Sequence, residues 1–281
     1  MPKAPIDGIE IYYEEHGEGP PLLLVPGLGG VGAYWRPQLR PFSEHFRVVV
    51  HDHRGTGEST RSEIAYSVDQ MTGDLLRLMD HLGIERAHLV GHSTGGAIGQ
   101  TLAIEHPDRV DSLVIYSSWT TCDPFMRRVF ETRKTLLQDS GVEAYIKATP
   151  VFLFPDWWIN QNAESFAAAD RDSVAGFPSV EIAASRCDAV MNFNRVSQLG
   201  EITARTLVIC AKDDFLTPAY FSQELANKIP GAELKLLEKG GHCVSQTIPS
   251  EFNSAVLSFL TTSSRPRKVG GSKGREYLAT Q

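Results

Sequence analysis

Short apolar runs alternate along the 281-residue chain with segments whose apolar residues recur every three or four positions. The runs predict buried strands, and the three-to-four spacing predicts amphipathic helices. Strands that alternate with helices form a mostly parallel sheet covered by helices on both faces. The alternation therefore predicts an α/β fold, and a chain of this length has room for one core with a modest insertion.

The alternation is interrupted between residues 121 and 195, where the sequence is helical in pattern, rich in aromatic residues and without a convincing buried strand. We interpret 121–195 as a helical cap inserted into a core formed by residues 1–120 and 196–262. The predicted strands are 22–25, 47–50, 87–90, 113–116, 206–210 and 233–237, and the predicted core helices are 68–82, 97–105, 218–229 and 249–260.

Composition narrows the classes of partner. A formal net charge of -7 disfavours a general nucleic-acid or anionic-membrane surface, because phosphate groups are bound by clustered Lys and Arg. The exception is the basic stretch 263–281, which we interpret as a flexible tail, with a nucleic-acid or membrane role as the alternative. We expect a small-molecule substrate, and a monomer or homodimer.

Targeting and metal-binding signals are also missing from the sequence. The N-terminal residues lack an apolar signal-peptide core, and no run of ~18 apolar residues occurs, which predicts a cytoplasmic protein. The four cysteines are far apart and lack a C-x-x-C pair, so reduced thiols are expected and a zinc site is not. We predict no metal and no cofactor.

The motif that most strongly indicates a catalytic function is Gly91-His92-Ser93-Thr94-Gly95. It matches G-x-S-x-G and lies directly after a predicted strand and directly before a predicted helix. A sharp strand-to-helix turn strains the backbone of the central serine and needs small neighbours, which Gly91 and Gly95 provide. We predict that Ser93 is a nucleophile. Cys243 is a weaker candidate, because a small buried residue would also suit that position.

A serine hydroxyl needs a base within hydrogen-bond reach and a third group that orients the base. His242 follows the last predicted strand, whereas His106, the other histidine downstream of Ser93, lies at a helix end. We therefore predict His242 as the base. The candidate acids are Asp213 and Asp214 after strand 206–210, with Asp123 as a lesser alternative.

The oxyanion of an acyl-transfer intermediate needs backbone N–H donors. We predict that Thr94, directly after the nucleophile, and Leu28, in the Gly-rich turn after the first apolar run, supply them. The same turn lacks the G-x-G-x-x-G pattern and the P-loop ending, so dinucleotide or phosphate binding is not indicated.

The turn 26–30, the segment 34–39 and the elbow around Ser93 resemble those of the α/β hydrolases, in the branch of 3-oxoadipate enol-lactonases and the aminoacrylate hydrolase RutD. The resemblance covers residues 9–260 and implies the α/β-hydrolase fold. Asp214-Phe215-Leu216-Thr217-Pro218 resembles the family's D-x-x-T-P pattern, which favours Asp214 as the acid. Residues 52–59 resemble its D-x-R-G-x-G-x-S turn, in which Asp and Arg pair with each other.

The cap sequence also resembles that of the aminoacrylate hydrolases, and this implies a small acid or its lactone, amide or carbamate as substrate. We predict Trp119, Arg127 and Trp157 as substrate contacts. Guanidinium groups could bind a carboxylate in two-point fashion, although an arginine on a helix is more often solvated. The arginines considered for this role are Arg127, Arg128, Arg186 and Arg195.

The residues predict a serine hydrolase, and the resemblance implies that it acts on an ester, lactone, amide or carbamate bond in a small carboxylate-bearing substrate. Alternatives within the enzymes are an enol-lactonase, a broad carboxylesterase, a C–C bond hydrolase and a perhydrolase. A dehalogenase or epoxide hydrolase is disfavoured, because those reactions use an aspartate where this chain has Ser93. A ligand-binding receptor on the same fold is the alternative from a different class.

Overall fold

The computed structural model describes residues 2–262, so the predicted basic tail 263–281 lies outside the described residues. An eight-stranded sheet with the order β1-β2-β4-β3-β5-β6-β7-β8 forms its centre. The strands from β3 onwards are parallel to one another, and β1 and β2 pair antiparallel at one edge. The strands are β1 (Lys3–Ile6), β2 (Ile9–His16), β3 (Pro21–Val25), β4 (Arg47–His51), β5 (Ala87–His92), β6 (Val110–Tyr116), β7 (Arg205–Ala211) and β8 (Glu233–Leu237).

Helices cover both faces of the sheet, which confirms the predicted α/β class. All six predicted strands and all four predicted core helices are present, with ends that differ by up to three residues from the predicted ones. The helices are α1 (Arg36–Ser43), α2 (Val68–His81), α3 (Thr94–Glu105), α4 (Pro124–Leu153), α5 (Asp156–Gln161), α6 (Ala163–Ala175), α7 (Val180–Asn192), α8 (Ala219–Lys228), α9 (Val244–Thr247) and α10 (Pro249–Thr261).

Alternate side chains of the central strands point to opposite faces of the sheet and fill two separate cores. On β3, Leu23 and Val25 join the apolar cluster that includes residues of α2, α3 and α8. Leu22 and Leu24 join the cluster formed with α1 and α10. All four side chains are almost fully buried, and burying one such side chain stabilises the fold by roughly 1.5–3 kcal/mol. This rigid centre holds the ends of β3, β5, β6 and β7 in fixed positions.

The chain between β6 and β7 forms an insertion that contains helices α4 to α7. Helix α4 is broken at Gly141, whose φ of 85° and ψ of 178° are not helical. Two hydrogen bonds bring the insertion to the carboxyl edge of the sheet. The backbone N–H of Cys243 donates to the carbonyl oxygen of Leu153 (3.2 Å), and Arg186 of α7 donates to the carbonyl oxygen of Leu28 (2.9 Å). The insertion therefore lies against the two loops that carry candidate site residues.

Candidate active site

Ser93 stands at the turn between β5 and α3 with φ 52° and ψ -113°, a region that L-residues seldom occupy. The turn permits no larger neighbours, because a Cβ added to Gly91 would overlap the carbonyl oxygen of Gly95, and one added to Gly95 would overlap that of Val25. The N–H of Ser93 donates to the carbonyl oxygen of Tyr116 at 2.8 Å. Steric confinement on one side and the neighbouring strand on the other hold the serine in this conformation.

His242 lies in the loop after β8, and its Nδ1 is 3.1 Å and 3.0 Å from the two carboxylate oxygens of Asp214. Both residues are buried, at 1% and 3% exposure. The carboxylate also accepts hydrogen bonds from the backbone N–H and the hydroxyl of Thr217, each at 2.9 Å. Since a carboxylate only accepts, Nδ1 of His242 is assigned the proton, and Nε2 is left as the basic nitrogen.

The two competing carboxylates have other partners. Asp213 is exposed, and its Oδ1 accepts a hydrogen bond from the N–H of Gly241 at 2.8 Å. Asp123 caps the N-terminus of α4 by accepting from the N–H of Met126 (2.8 Å), and it also accepts from the hydroxyl of Tyr220 (2.6 Å). Of the three candidates, Asp214 is the one whose carboxylate contacts His242.

A buried aromatic and polar network joins the loop of His242 to the elbow. The carbonyl oxygen of His242 accepts from the hydroxyl of Tyr116 (3.0 Å) and from Nε2 of His92 (3.1 Å). Tyr34 stacks on the ring of His92, with a centroid distance of 4.6 Å. Burial, and the proximity of His242, hold the pKa of His92 well below its usual value, so this ring stays neutral. Sequence reasoning missed the network, because its members come from four distant segments.

Cys243, the alternative nucleophile, is buried next to His242 in the chain. Its exposure is 2%, and burial raises the pKa of its thiol to about 12. A thiol with that pKa is almost entirely protonated at neutral pH, and the thiolate is the reactive form. Cys243 therefore fits the interpretation as a small buried residue beside the site.

The turn after β3 lies directly against the elbow. A Cβ added to Gly27 would lie 3.2 Å from the Cβ of Ser93 and 3.0 Å from Nδ1 of His92. The turn is closed by a hydrogen bond from the N–H of Gly30 to the carbonyl oxygen of Gly27 (3.0 Å). Gly27, the residue before Leu28, therefore lies close to the side chain of Ser93. Thr94 opens α3, where the first N–H groups of a helix have no intrahelical partner.

The loop 52–59 departs from its predicted arrangement, because Asp52 and Arg54 do not pair with each other. The carboxylate of Asp52 accepts from the backbone N–H of Gly32 (2.8 Å) and of Glu58 (2.9 Å), and so it ties two turns together. Arg54 instead reaches α2, where its Nη2 lies 2.6 Å from a carboxylate oxygen of Asp74. The predicted pairing was wrong because backbone donors take up both oxygens of Asp52.

The predicted substrate contacts lie in three different environments. Trp119 is fully buried in an apolar core and packs edge-on against Phe193, with a centroid distance of 5.8 Å. Arg127 is exposed, and its guanidinium donates to the carbonyl oxygen of Met191 (3.3 Å). Trp157 is half-buried beneath the ammonium group of Lys239, 5.0 Å from the ring centroid. Their contact with a substrate stays a prediction.

Two of the other three arginines considered for a substrate carboxylate have protein partners. Arg195 forms ion pairs with Asp69 (2.6 Å) and Glu105 (2.5 Å), and Arg128 is exposed. Arg186 is buried among backbone oxygens.

Within residues 2–262, no group of three His, Cys, Asp or Glu side chains is arranged to hold a metal ion, and no helix is long and apolar enough to span a membrane.

Comparison with known proteins defines the class. A family model described as alpha/beta hydrolase fold matches residues 20–138, and one described as TAP-like protein matches residues 179–272. The chain therefore belongs to the α/β-hydrolase family.

Within this family the similarity extends over almost the whole chain. It is 42% identical over 267 residues to the "Putative carbamate hydrolase RutD" of Caulobacter sp. (strain K31), covering 93% of this chain and 98% of that relative. The enol-lactonase from Burkholderia xenovorans LB400 superposes with a TM-score of 0.85 at 30% identity, over 92% of this chain and 100% of the other. Est816, described as an N-acyl homoserine lactone degrading enzyme, superposes with a TM-score of 0.80 at 30% identity, over 92% of this chain and 100% of the other. The predicted relationship to the RutD and enol-lactonase branch is confirmed.

Proposed function

We propose that the protein is a serine hydrolase in which Ser93 is the nucleophile, His242 the general base and Asp214 the group that orients His242. The observation that carries the proposal is the buried hydrogen bond between Nδ1 of His242 and Asp214, in a loop joined through His92 to the strained turn of Ser93. A serine on such a turn and a histidine held in one tautomer are the two requirements for activating a hydroxyl.

The reaction then proceeds in two stages. Nε2 of His242 takes the hydroxyl proton of Ser93 while Oγ attacks the substrate carbonyl carbon, and the N–H groups of Leu28 and Thr94 donate to the resulting oxyanion. The intermediate collapses, His242 protonates the leaving group, and an acyl-enzyme remains. A water molecule, deprotonated by His242, attacks the acyl carbon, and Ser93 recovers its proton as the acid product leaves.

The proposed substrate is a small carbonyl compound with an ester, lactone, amide or carbamate bond. Support comes from the relatives, of which one is named as a carbamate hydrolase and two are described as lactone-cleaving enzymes. We rank a carbamate first, since the relatives with the higher identity are named as carbamate hydrolases, and we place an aminoacrylate-type acid beside it on the resemblance of the cap sequence. An enol-lactone is the second candidate.

A substrate panel tests this proposal. Initial rates are measured for small carbamates, 3-aminoacrylate-type acids, enol-lactones and p-nitrophenyl esters with wild type, Ser93→Ala and Asp213→Asn. We expect turnover of at least one class by wild type, with a loss of about 10⁴-fold or more in kcat for Ser93→Ala. Asp213→Asn, which changes the neighbouring exposed carboxylate, should stay within about tenfold of wild type. A folded wild type that turns over none of the classes would favour the ligand-binding receptor.

A further inference from the structure

Arg186 is a buried arginine of the insertion that has no acidic partner among the described residues. It lies on α7 with 2% exposure, and its guanidinium donates to the carbonyl oxygens of Leu28 (2.9 Å) and Arg54 (3.0 Å). Its Nη2 also lies 3.1 Å from Nδ1 of His53, and its Cζ is 5.5 Å from the ring centroid of Tyr66. Buried arginines are normally paired with a carboxylate, so these neutral acceptors require another explanation.

The neutral state of His53 fits this arrangement. A guanidinium only donates, so Nδ1 of His53 must accept, and the ring carries its proton on Nε2. Burial and the positive charge of Arg186 hold the pKa of His53 well below its usual value, in agreement with a neutral ring. Burial lowers the pKa of Arg186 itself to about 10, so the guanidinium is still charged at neutral pH.

Both peptide planes that flank Leu28 are fixed. The peptide plane between Gly27 and Leu28 contains the N–H of Leu28. It is held by a hydrogen bond from the N–H of Gly30 to the carbonyl oxygen of Gly27 (3.0 Å). The peptide plane between Leu28 and Gly29 is held by a hydrogen bond from the guanidinium of Arg186 to the carbonyl oxygen of Leu28 (2.9 Å). The far side of the turn is held by Thr56, whose hydroxyl donates to the carbonyl oxygen of Gly30 (2.9 Å). One hydrogen bond thus holds the plane that carries the N–H of Leu28, and Arg186 holds the plane next to it.

We propose that Arg186 is a positioning residue for the oxyanion hole: it reaches from the insertion to the carbonyl oxygen of Leu28, holds the peptide plane that follows Leu28, and so keeps the turn in the conformation that presents the Leu28 N–H. The inference rests on the proposed function, in which that N–H is an oxyanion donor. It makes α7 part of the catalytic machinery without contact between Arg186 and the substrate. Both hydrogens of Nη2 are engaged by Leu28 and His53, which disfavours the earlier role for Arg186 in binding a substrate carboxylate.

The proposal is tested with Arg186→Met, which removes every donor, and Arg186→Lys, which keeps the charge but loses the fork of N–H groups. The matched control is Lys134→Met. Lys134 of α4 pairs with Asp188 of α7 at 2.7 Å, so its loss removes a different polar contact of α7 without touching the turn. Each variant is assayed with the best substrate of wild type, and its melting temperature is recorded.

We expect kcat to fall about 10- to 100-fold in Arg186→Met and less in Arg186→Lys, with KM within about threefold, because removing an oxyanion donor outright costs about 10²–10³-fold. The affinity for a trifluoromethyl ketone or boronate, which forms a tetrahedral adduct on the serine, should fall in parallel with kcat/KM. Lys134→Met should leave kcat and adduct affinity unchanged.

Two results would overturn the inference. The first is an adduct affinity and kcat of folded Arg186→Met equal to those of wild type. The second is a raised KM with kcat unchanged, which would make Arg186 a substrate-binding residue. If Arg186→Met does not fold, Arg186→Lys carries the same comparison. Failure of the proposed function is distinguishable, because wild type itself would then show no turnover and no adduct.

Discussion

At the scale of single residues, the conformation of Ser93 depends on the glycines around it. We expect Gly95→Ala to lower the free energy of unfolding by more than about 3 kcal/mol, because its Cβ would overlap the carbonyl oxygen of Val25 in the sheet. Gly200→Ala is the control, since a Cβ there meets no atom within 4 Å. Urea unfolding measures both, and equal stabilities of the two variants would contradict the account of the elbow.

The division of roles between neighbouring aspartates gives a second prediction at this scale. Asp214→Asn should lower kcat by about 10²–10⁴-fold, because an amide cannot hold His242 in the required tautomer as a carboxylate does. Asp213→Asn should change kcat by less than about tenfold, since Asp213 contacts the N–H of Gly241 rather than His242. Steady-state kinetics on the best substrate measures both. The reverse order of losses would assign the acid to Asp213.

Ser93, His242 and Asp214 could be proposed from the sequence because each follows a predicted strand. The supporting residues could not. Tyr34, His92 and Tyr116 meet around the His242 loop only because β5 and β6 are neighbours in the sheet and the segment before α1 packs across their ends. Side chains that converge from distant segments leave no local pattern in a sequence.

At the scale of secondary structure, the sheet strands were predictable where they are apolar. The hairpin of β1 and β2 was missed because charged residues interrupt its apolar residues, so it has no continuous apolar run, and because it forms the edge of the sheet. Its signal was the pair Asp7-Gly8, whose φ values of 44° and 81° form the two-residue turn between Ile6 and Ile9. An Asp-Gly pair between alternating segments is a strong hairpin signal.

The break in α4 leads to the prediction that belongs to this scale. Gly141 has a φ of 85° and a ψ of 178°, a conformation almost exclusive to glycine. Gly141→Ala should therefore cost about 1–3 kcal/mol although a Cβ there meets no atom within 4 Å. A fall in melting temperature relative to Gly200→Ala measures the cost. No difference between the two alanine variants would mean that the break is not strained.

At the scale of the whole molecule, three buried histidines make stability depend on pH. Burial lowers the pKa of His51 to about 4 and holds the pKa of His53 and His92 well below the usual value of 6.5. The unfolded chain then binds more protons than the folded one below about pH 6.5, so acid favours unfolding. We expect the free energy of unfolding to fall as the pH is lowered from 7 to 5.

His51→Gln tests the assignment, because it removes one of these groups. The slope of unfolding free energy against pH between 5 and 6 should decrease by about 1.4 kcal/mol per pH unit, which corresponds to one proton. Urea titrations at several pH values measure it. A wild-type slope of zero over this range would contradict the buried neutral state of the histidines.

The central claim, that Ser93 is an activated nucleophile, is tested most directly by intact-mass spectrometry after reaction with a fluorophosphonate probe. We predict a single adduct that peptide mapping places on Ser93. It should be absent in Ser93→Ala and form at least about 10²-fold more slowly in His242→Ala, because the hydroxyl then lacks its base. No adduct on folded wild type, or an adduct that persists in Ser93→Ala, would contradict the account.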